Sequence, residues 1–220
     1  MAIAYTYNEP TVFFEFAYDT AILAKKEGIK NVFVSNGYLC EEAIRQVAPY
    51  LDGINIDLKS FNDDTYKSIC GARLKPVTET IRLMKKLGVW VEVTTLIIPG
   101  VNDKEEELRQ IASFIRSIGP DVPWHVIRFH PAYKFQDLPP TPLAKIRRAR
   151  EIGMEEKLRY VYAGNIPDRG GENTYCYSCG ALLIERYGMN VLQDRLQNGK
   201  CPECKTSFEG IIRLMNERIR

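Results

Sequence analysis

The feature that most constrains this chain is a repeated alternation of two hydrophobic periods. Short runs rich in β-branched and aromatic residues fall at 2–7, 31–35, 53–58, 89–98, 125–129 and 158–163. Between them lie amphipathic segments at 11–27, 41–51, 77–87, 104–118 and 142–157. The runs are apolar on both faces, as strands buried in a parallel sheet are. The segments carry helix boundary signals: Gly28 and Gly88 follow a last turn, and Asp103 precedes a first one. Such a βαβαβα string specifies an α/β fold with a parallel sheet, either doubly wound or closing toward a barrel.

The rhythm stops at Gly164. The stretch Asn165-Ile166-Pro167-Asp168-Arg169-Gly170-Gly171 is turn-rich and reads as a linker. The expected division is therefore a barrel-like unit over 1–164 and a small module with a tail over 165–220. The second unit contains Cys176-Tyr177-Ser178-Cys179 and Cys201-Pro202-Glu203-Cys204. Each C-x-x-C turn aims two thiolates at one ion, and two such turns complete a tetrahedron. Residues 181–187, a turn at Gly188 and residues 191–196 read as a hairpin that brings the second pair beside the first. Zinc is the default ion for four thiolates, and a single iron is the alternative. A closed four-thiolate site has no open coordination position, so its expected role is structural.

Charge and hydropathy narrow the setting. A net charge of +2 argues against a general nucleic-acid field. No apolar run approaches the ~18 residues that span a bilayer, and the N-terminus lacks the basic start and apolar stretch of a signal peptide. The expectation is a cytoplasmic protein with reduced thiols, where paired cysteines indicate metal or redox chemistry before disulfides.

In parallel βα architectures the chemistry collects where strands end and loops begin. Those positions hold Asn8 and Glu9, then Ser35, Asn36 and Gly37, then Asp57 and Lys59, then Thr94 and Thr95, and finally His130. Asp57 and Lys59 are two apart and share one side of their strand, so a buried ion pair is expected if that side is the interior. Plainer roles exist for each: Glu9 precedes Pro10 and suits a helix start, Asn36-Gly37 suits a tight turn, Asp57 or Asn62 suits a cap, and His125 suits a structural position. The set arriving together at successive strand ends favours function.

These residues also carry a family resemblance. Ala4-Tyr5-Thr6-Tyr7-Asn8-Glu9-Pro10-Thr11 resembles the second-strand motif of radical-SAM enzymes related to pyruvate formate-lyase activating enzyme. The series continues through Val34-Ser35-Asn36-Gly37, Ile56-Asp57-Leu58-Lys59, Ile97-Ile98-Pro99-Gly100-Val101-Asn102-Asp103 and Arg128-Phe129-His130-Pro131. With the four-cysteine tail included, the chain resembles the radical-SAM enzyme of the AmmeMemoRadiSam system over nearly its whole length. The resemblance implies a radical-SAM-type barrel and binding of S-adenosylmethionine by Asn8, Glu9, Ser35, Asn36, Asp57, Lys59 and His130. Asn8 and Glu9 would hold the methionyl amine, since a carboxylate accepts strong charge-assisted hydrogen bonds from an ammonium. Ser35, Asp57 and Lys59 would lie near the cofactor carboxylate or a monovalent cation, and His130 near its ribose or adenine. Family glycines are replaced by Tyr7 and Asn8, of which asparagine better tolerates unusual dihedrals. Thr94 stands where the activating enzyme has an arginine.

The family's [4Fe–4S] cluster is held by a C-x3-C-x2-C loop after the first barrel strand. This sequence contains no such motif and starts at what would be the second strand, so the expectation is an incomplete barrel lacking that strand. Cys40 and Cys70 are isolated and read as core or helix cysteines. The implied activity is reductive cleavage of S-adenosylmethionine to a 5′-deoxyadenosyl radical that abstracts hydrogen from a protein or small-molecule substrate, with no cluster to drive it in this chain alone. Two other readings compete. One is a barrel enzyme with Lys59 as Schiff-base nucleophile. The other is a non-catalytic zinc-ribbon module whose Arg186, Arg195, Lys200 and Lys205 form a basic set or a solvated face. The strand at 2–7, uncharged and unpaired on one side, is expected to promote self-association.

Overall fold

The computed structural model describes residues 1–167, 170–188 and 190–211. Six strands, β1 (Ala2–Tyr5), β2 (Lys30–Ser35), β3 (Gly53–Asp57), β4 (Trp90–Ile97), β5 (Trp124–Arg128) and β6 (Val161–Gly164), pair in parallel in their order along the chain. Five main helices cross between them: α1 (Phe14–Lys26), α2 (Glu41–Val47), α4 (Leu74–Lys86), α5 (Glu105–Ile118) and α6 (Leu143–Glu155). A single helical turn, α3 (Asp63–Thr65), runs into a π-helical turn at Tyr66–Cys70. With every strand beside its sequence neighbour, right-handed crossovers put all the helices on one side of the sheet.

Strand β4 shows the consequence. Val91, Val93, Thr95 and Ile97 are buried under the helices, while Trp90, Glu92, Thr94 and Leu96 face the other, concave side and are half-buried. The helix-side layer packs closely. Trp124 is fully buried and donates through Nε1 to Thr95 Oγ1 at 3.0 Å, and Thr95 donates to the Leu58 carbonyl at 3.0 Å. Helix α6 meets this layer at Gly153, where a Cβ would stand 2.8 Å from Val161 Cγ2 and 2.9 Å from Trp124 Cε3. Any side chain there would push the helix off the sheet. Among the described residues, β1 and β6 pair with one neighbour each, so the sheet is an open arc and not a closed barrel. The fold is thus the parallel α/β arrangement expected from the sequence.

A second sheet follows, with β7 (Thr174–Tyr175), β8 (Leu182–Tyr187) and β9 (Asn190–Asp194) antiparallel in that order. It packs against β6 and the residues just before it. Ala163 donates its amide to the Gly171 carbonyl at 2.9 Å, and the Tyr160 ring meets Phe208 and Tyr177 at 5.5 and 6.3 Å. Arg159 lies 4.2 Å over Tyr177 and pairs with Glu209. No helix among the described residues is long and apolar enough to cross a membrane.

Candidate functional site

The loops after β1 and β2 meet at one carboxylate. Glu9 accepts from Ser35 Oγ at 2.7 Å on one oxygen and from the Asn36 amide at 2.7 Å on the other. The Thr11 amide adds a longer bond of 3.4 Å, so Glu9 also caps the helical turn that starts at Pro10. The helix-start and site readings of Glu9 are therefore compatible. Ser35 is buried and its Oγ accepts the Gly37 amide at 3.0 Å, while Asn36 Oδ1 accepts the Tyr38 amide at 2.8 Å. Gly37 has φ +75°, and a Cβ there would stand 2.6 Å from Ile56 Cγ2, so this tight turn requires glycine.

The loop before Glu9 departs from expectation in one detail. The left-handed backbone falls on Tyr7, at φ +70°, with its side chain wholly in solvent, and not on Asn8. A non-glycine residue in that conformation costs roughly 1–2 kcal/mol. Asn8 and His130 are both exposed, beyond the ends of β1 and β5.

Asp57 and Lys59 do pair, at 2.8 Å, but the side chains are 36% and 44% exposed. The buried pair expected for an interior position is absent because Asp57 lies on the concave face of β3, which an open sheet leaves accessible. An exposed pair of this kind contributes about 0–1 kcal/mol, so stability alone gives it little purpose.

Four residues brace these loops, and two of them, Tyr66 and Thr141, had no place among the residues singled out in the sequence. Buried Asn102 donates to the carbonyls of Lys59 and Leu96 at 2.6 and 2.8 Å and accepts the Ile98 amide at 2.7 Å. Tyr66, buried, accepts the Lys59 amide at 3.0 Å, and its burial raises the phenol pKa. Thr141 donates to the Ile97 carbonyl and accepts the Phe129 amide, and Thr95 holds Leu58. The strand ends are therefore fixed by hydrogen bonds that no local pattern announces. Asn102 had a signal as part of the 97–103 motif, and Thr95 as a strand-end hydroxyl.

The second grouping is the four cysteines. Their sulfurs all lie within 4.8 Å of one another, with Cys176–Cys204 and Cys179–Cys201 at 3.6 Å. Zinc–sulfur bonds of ~2.3 Å in a tetrahedron place sulfurs roughly 3.8 Å apart, so the cluster fits one ion. The two turns are built alike. The Gly180 amide bonds the Cys176 carbonyl at 2.8 Å, and the Lys205 amide bonds the Cys201 carbonyl at 3.0 Å. Cys176 and Cys201 in turn donate their amides to Ala181 and Thr206 at 2.8 and 2.9 Å. Gly180 and Lys205 occupy the same left-handed position, at φ +75° and +62°. Bonds from Thr206 hold the Cys204 thiol down at about 6. For Cys179 the Ala181 amide favours the thiolate, but neighbouring sulfurs prevail and push it up to about 12. Thiols this crowded resist ionising together unless a cation joins them. Cys40 and Cys70 are exposed, one capping α2 and the other ending the π-helical turn, and neither joins a group of ligands.

The comparisons agree with this layout. The description "Radical SAM superfamily" fits residues 2–114. An uncharacterised protein of Methanocaldococcus jannaschii is 48% identical over 213 residues, which is 96% of this chain and 63% of that protein. The pyruvate formate-lyase-activating enzyme of Clostridium pasteurianum is 28% identical over 104 residues, 47% of this chain and 43% of that enzyme. The chain thus spans less than two thirds of the length of either relative. Among solved structures, a domain of pyruvate-formate lyase-activating enzyme from Bacteroides vulgatus superposes with a TM-score of 0.65 at 19% identity, over 74% of this chain and 98% of that one. Streptococcus suis SuiB superposes with a TM-score of 0.62 at 13% identity, over 76% and 40%. At such identities the structural likeness speaks for the fold. The family description covers just over half of the 220 residues, and the chain belongs to the Radical SAM superfamily.

Proposed function

We propose that this chain carries the S-adenosylmethionine-binding part of a radical-SAM enzyme of the activating-enzyme type, and more narrowly of the AmmeMemoRadiSam system. The observation that carries the reading is the fixed carboxylate of Glu9. A carboxylate has about four acceptor positions. Ser35 and Asn36 occupy one on each oxygen, and Thr11 makes only a long bond, so a position remains for the ammonium of the cofactor. In this reading Ser35 and Asn36 act through Glu9 by orienting it. Asn8, Asp57 and Lys59 supply polar contacts beside it, and His130 reaches the nucleoside end.

The family implies a [4Fe–4S] cluster as well. This chain's residues do not fit one, since the six cysteines comprise the four-cysteine group and two isolated thiols. The difficult chemistry of such enzymes belongs to cofactor and cluster; the part assigned to this chain is to bind and orient S-adenosylmethionine. The competing lysine reading gains nothing from the geometry, because an ammonium held by Asp57 at 2.8 Å is not a nucleophile. A basic face on the ribbon is also weakened, because Arg186 is half-buried against Tyr162.

Equilibrium dialysis with labelled S-adenosylmethionine tests the proposal. Saturable binding that unlabelled cofactor displaces, and ATP does not, is the expected result. Affinity should be weak, because in the family the cluster iron shares the cofactor's amine and carboxylate. No saturable binding at millimolar cofactor would overturn the assignment.

A further inference from the structure

The concave face of the sheet carries a chamber of about 730 Å³ that Glu9 does not line. Its walls come from residues of all six strands, mostly near their starts but reaching Ile127 of β5 and Gly164 of β6, and its floor from the ribbon. Asn55, which lines the chamber, stands two residues before Asp57 on the same face of β3, at roughly 3.3 Å per residue about 7 Å away. The chamber therefore adjoins the strand-end residues of the cofactor reading, and Glu9→Ala keeps the two readings apart.

Each carboxylate that lines the chamber has a partner, although among the described residues Glu209 keeps its buried Oε2 without one. Glu92 takes ring N–H bonds from His125 at 2.7 Å and Trp90 at 2.9 Å. Asp52 pairs with Lys30, Glu209 with Arg159, and Glu172 accepts the Gly188 amide. Burial alone would raise the pKa of Glu92, but the His125 and Trp90 bonds and the charge of Arg186 bring it below its usual value.

The cations differ. Lys30 is committed to Asp52, whereas the Arg186 guanidinium bonds through Nη1 alone, to Thr174 Oγ1 at 2.6 Å and the Glu172 carbonyl at 3.3 Å. Among the described residues its Nε and Nη2 donate no hydrogen bond. On the strand wall, Asn55 accepts from Thr94 at 2.8 Å through its side-chain oxygen, which leaves its amide N–H group uncommitted. Aromatic surface surrounds both donors. Trp90, Tyr160, Tyr162 and Phe208 line the chamber, with the His125 ring stacked on Tyr162 at 5.1 Å. A half-buried cation with open donors is most favourably matched by a carboxylate, and aromatic walls favour a flat apolar body.

We propose that this chamber binds a small aromatic carboxylate, with Arg186 of the ribbon as its anion anchor, Asn55 as a second donor and the aromatic walls as its sleeve. Because Arg186 stands on β8 and bonds to Thr174, two residues before Cys176, the metal-bound ribbon completes the site. Ligand and metal should then strengthen each other's binding equally, as linkage requires.

Benzoate is the probe, titrated by calorimetry into the full chain carrying its metal. It should bind, and R186Q with its metal content intact should bind it at least about tenfold more weakly. Benzyl alcohol, of similar shape without the charge, should bind wild type about as weakly as benzoate binds R186Q. Glu9→Ala should bind benzoate as wild type does. If R186Q loses its metal, Asn55→Leu on the strand wall decides, with benzoate weakened about fivefold and metal retained. Absent benzoate binding, equal binding to metal-replete R186Q, unchanged binding in N55L where R186Q has lost its metal, or equal binding of benzyl alcohol and benzoate by wild type would overturn the proposal.

Discussion

The amide of Asn36 donates to Glu9 at 2.7 Å across 27 positions of sequence, and so ties the loop after β2 to the loop after β1. Ser35 doubles the tie through its hydroxyl. The relationship makes the carboxylate a fixed feature of the strand ends and not a mobile surface acid. It also joins two motifs of the family series into one site.

The four-cysteine group should hold one metal ion per chain, as zinc or iron. Elemental analysis checks the ratio. Cys176→Ser should release the ion and unfold the ribbon, while the helical circular dichroism of the βα unit persists. Collapse of both units together would show that β6 and the ribbon fold as one.

Lys205 holds the left-handed position that Gly180 holds in the sister turn. Lys205→Gly should relieve roughly 1 kcal/mol of backbone strain, offset in part by loss of the Lys205 bond to the Pro202 carbonyl. Slower metal loss to a chelator is the expected sign. Faster loss would mean that the side-chain bond outweighs the strain.

Glu92 carries a pH dependence. Its folded pKa is lowered, by the His125 and Trp90 bonds against the opposing effect of burial. A lowered carboxylate adds stability that is present above the unfolded value, about 4.5, and is lost as pH falls through the folded value. Wild type should therefore lose stability below about pH 4.5 more steeply than Glu92→Gln. Denaturant titrations at pH 7 and pH 3.5 give the two slopes, and parallel curves would remove Glu92 from the acid response.

Most of the fold was legible because buried parallel strands and amphipathic helices write different periods into the chain. The six strands and five crossover helices fall within a few residues of the runs that suggested them. The hairpin between the cysteine pairs was equally plain, with Gly188 turning β8 into β9. The two-residue strand β7 was not, since its pairing with β8 sets it, and neither was the π-helical turn at Tyr66–Cys70. At the site, Glu9 and Asn62 behave as the caps their positions suggest. What remained hidden was long-range: the side-chain bonds of Asn102 to two carbonyls, the open concave face that exposes Asp57 and Lys59, and the meeting of Glu92 with His125 on that face.

Self-association is a further expectation. Among the described residues β1 pairs with β2 alone, and its other edge carries no charged residue to deter a partner. We propose that this chain associates through that edge. Ala4→Lys, at an exposed β1 position, should shift the sedimentation profile toward monomer. A wild-type chain that is already monomeric at high concentration would contradict the expectation.

The most direct test of the central claim is a calorimetric titration of S-adenosylmethionine into wild type and Glu9→Gln. Glutamine keeps the shape of the side chain but removes the charge that an ammonium needs, which for a charge-assisted bond corresponds to about 1.5–3 kcal/mol. The account predicts weak binding by wild type and at least about tenfold weaker binding by the variant, with the fold and the metal content unchanged. Equal affinity in the two proteins would contradict it.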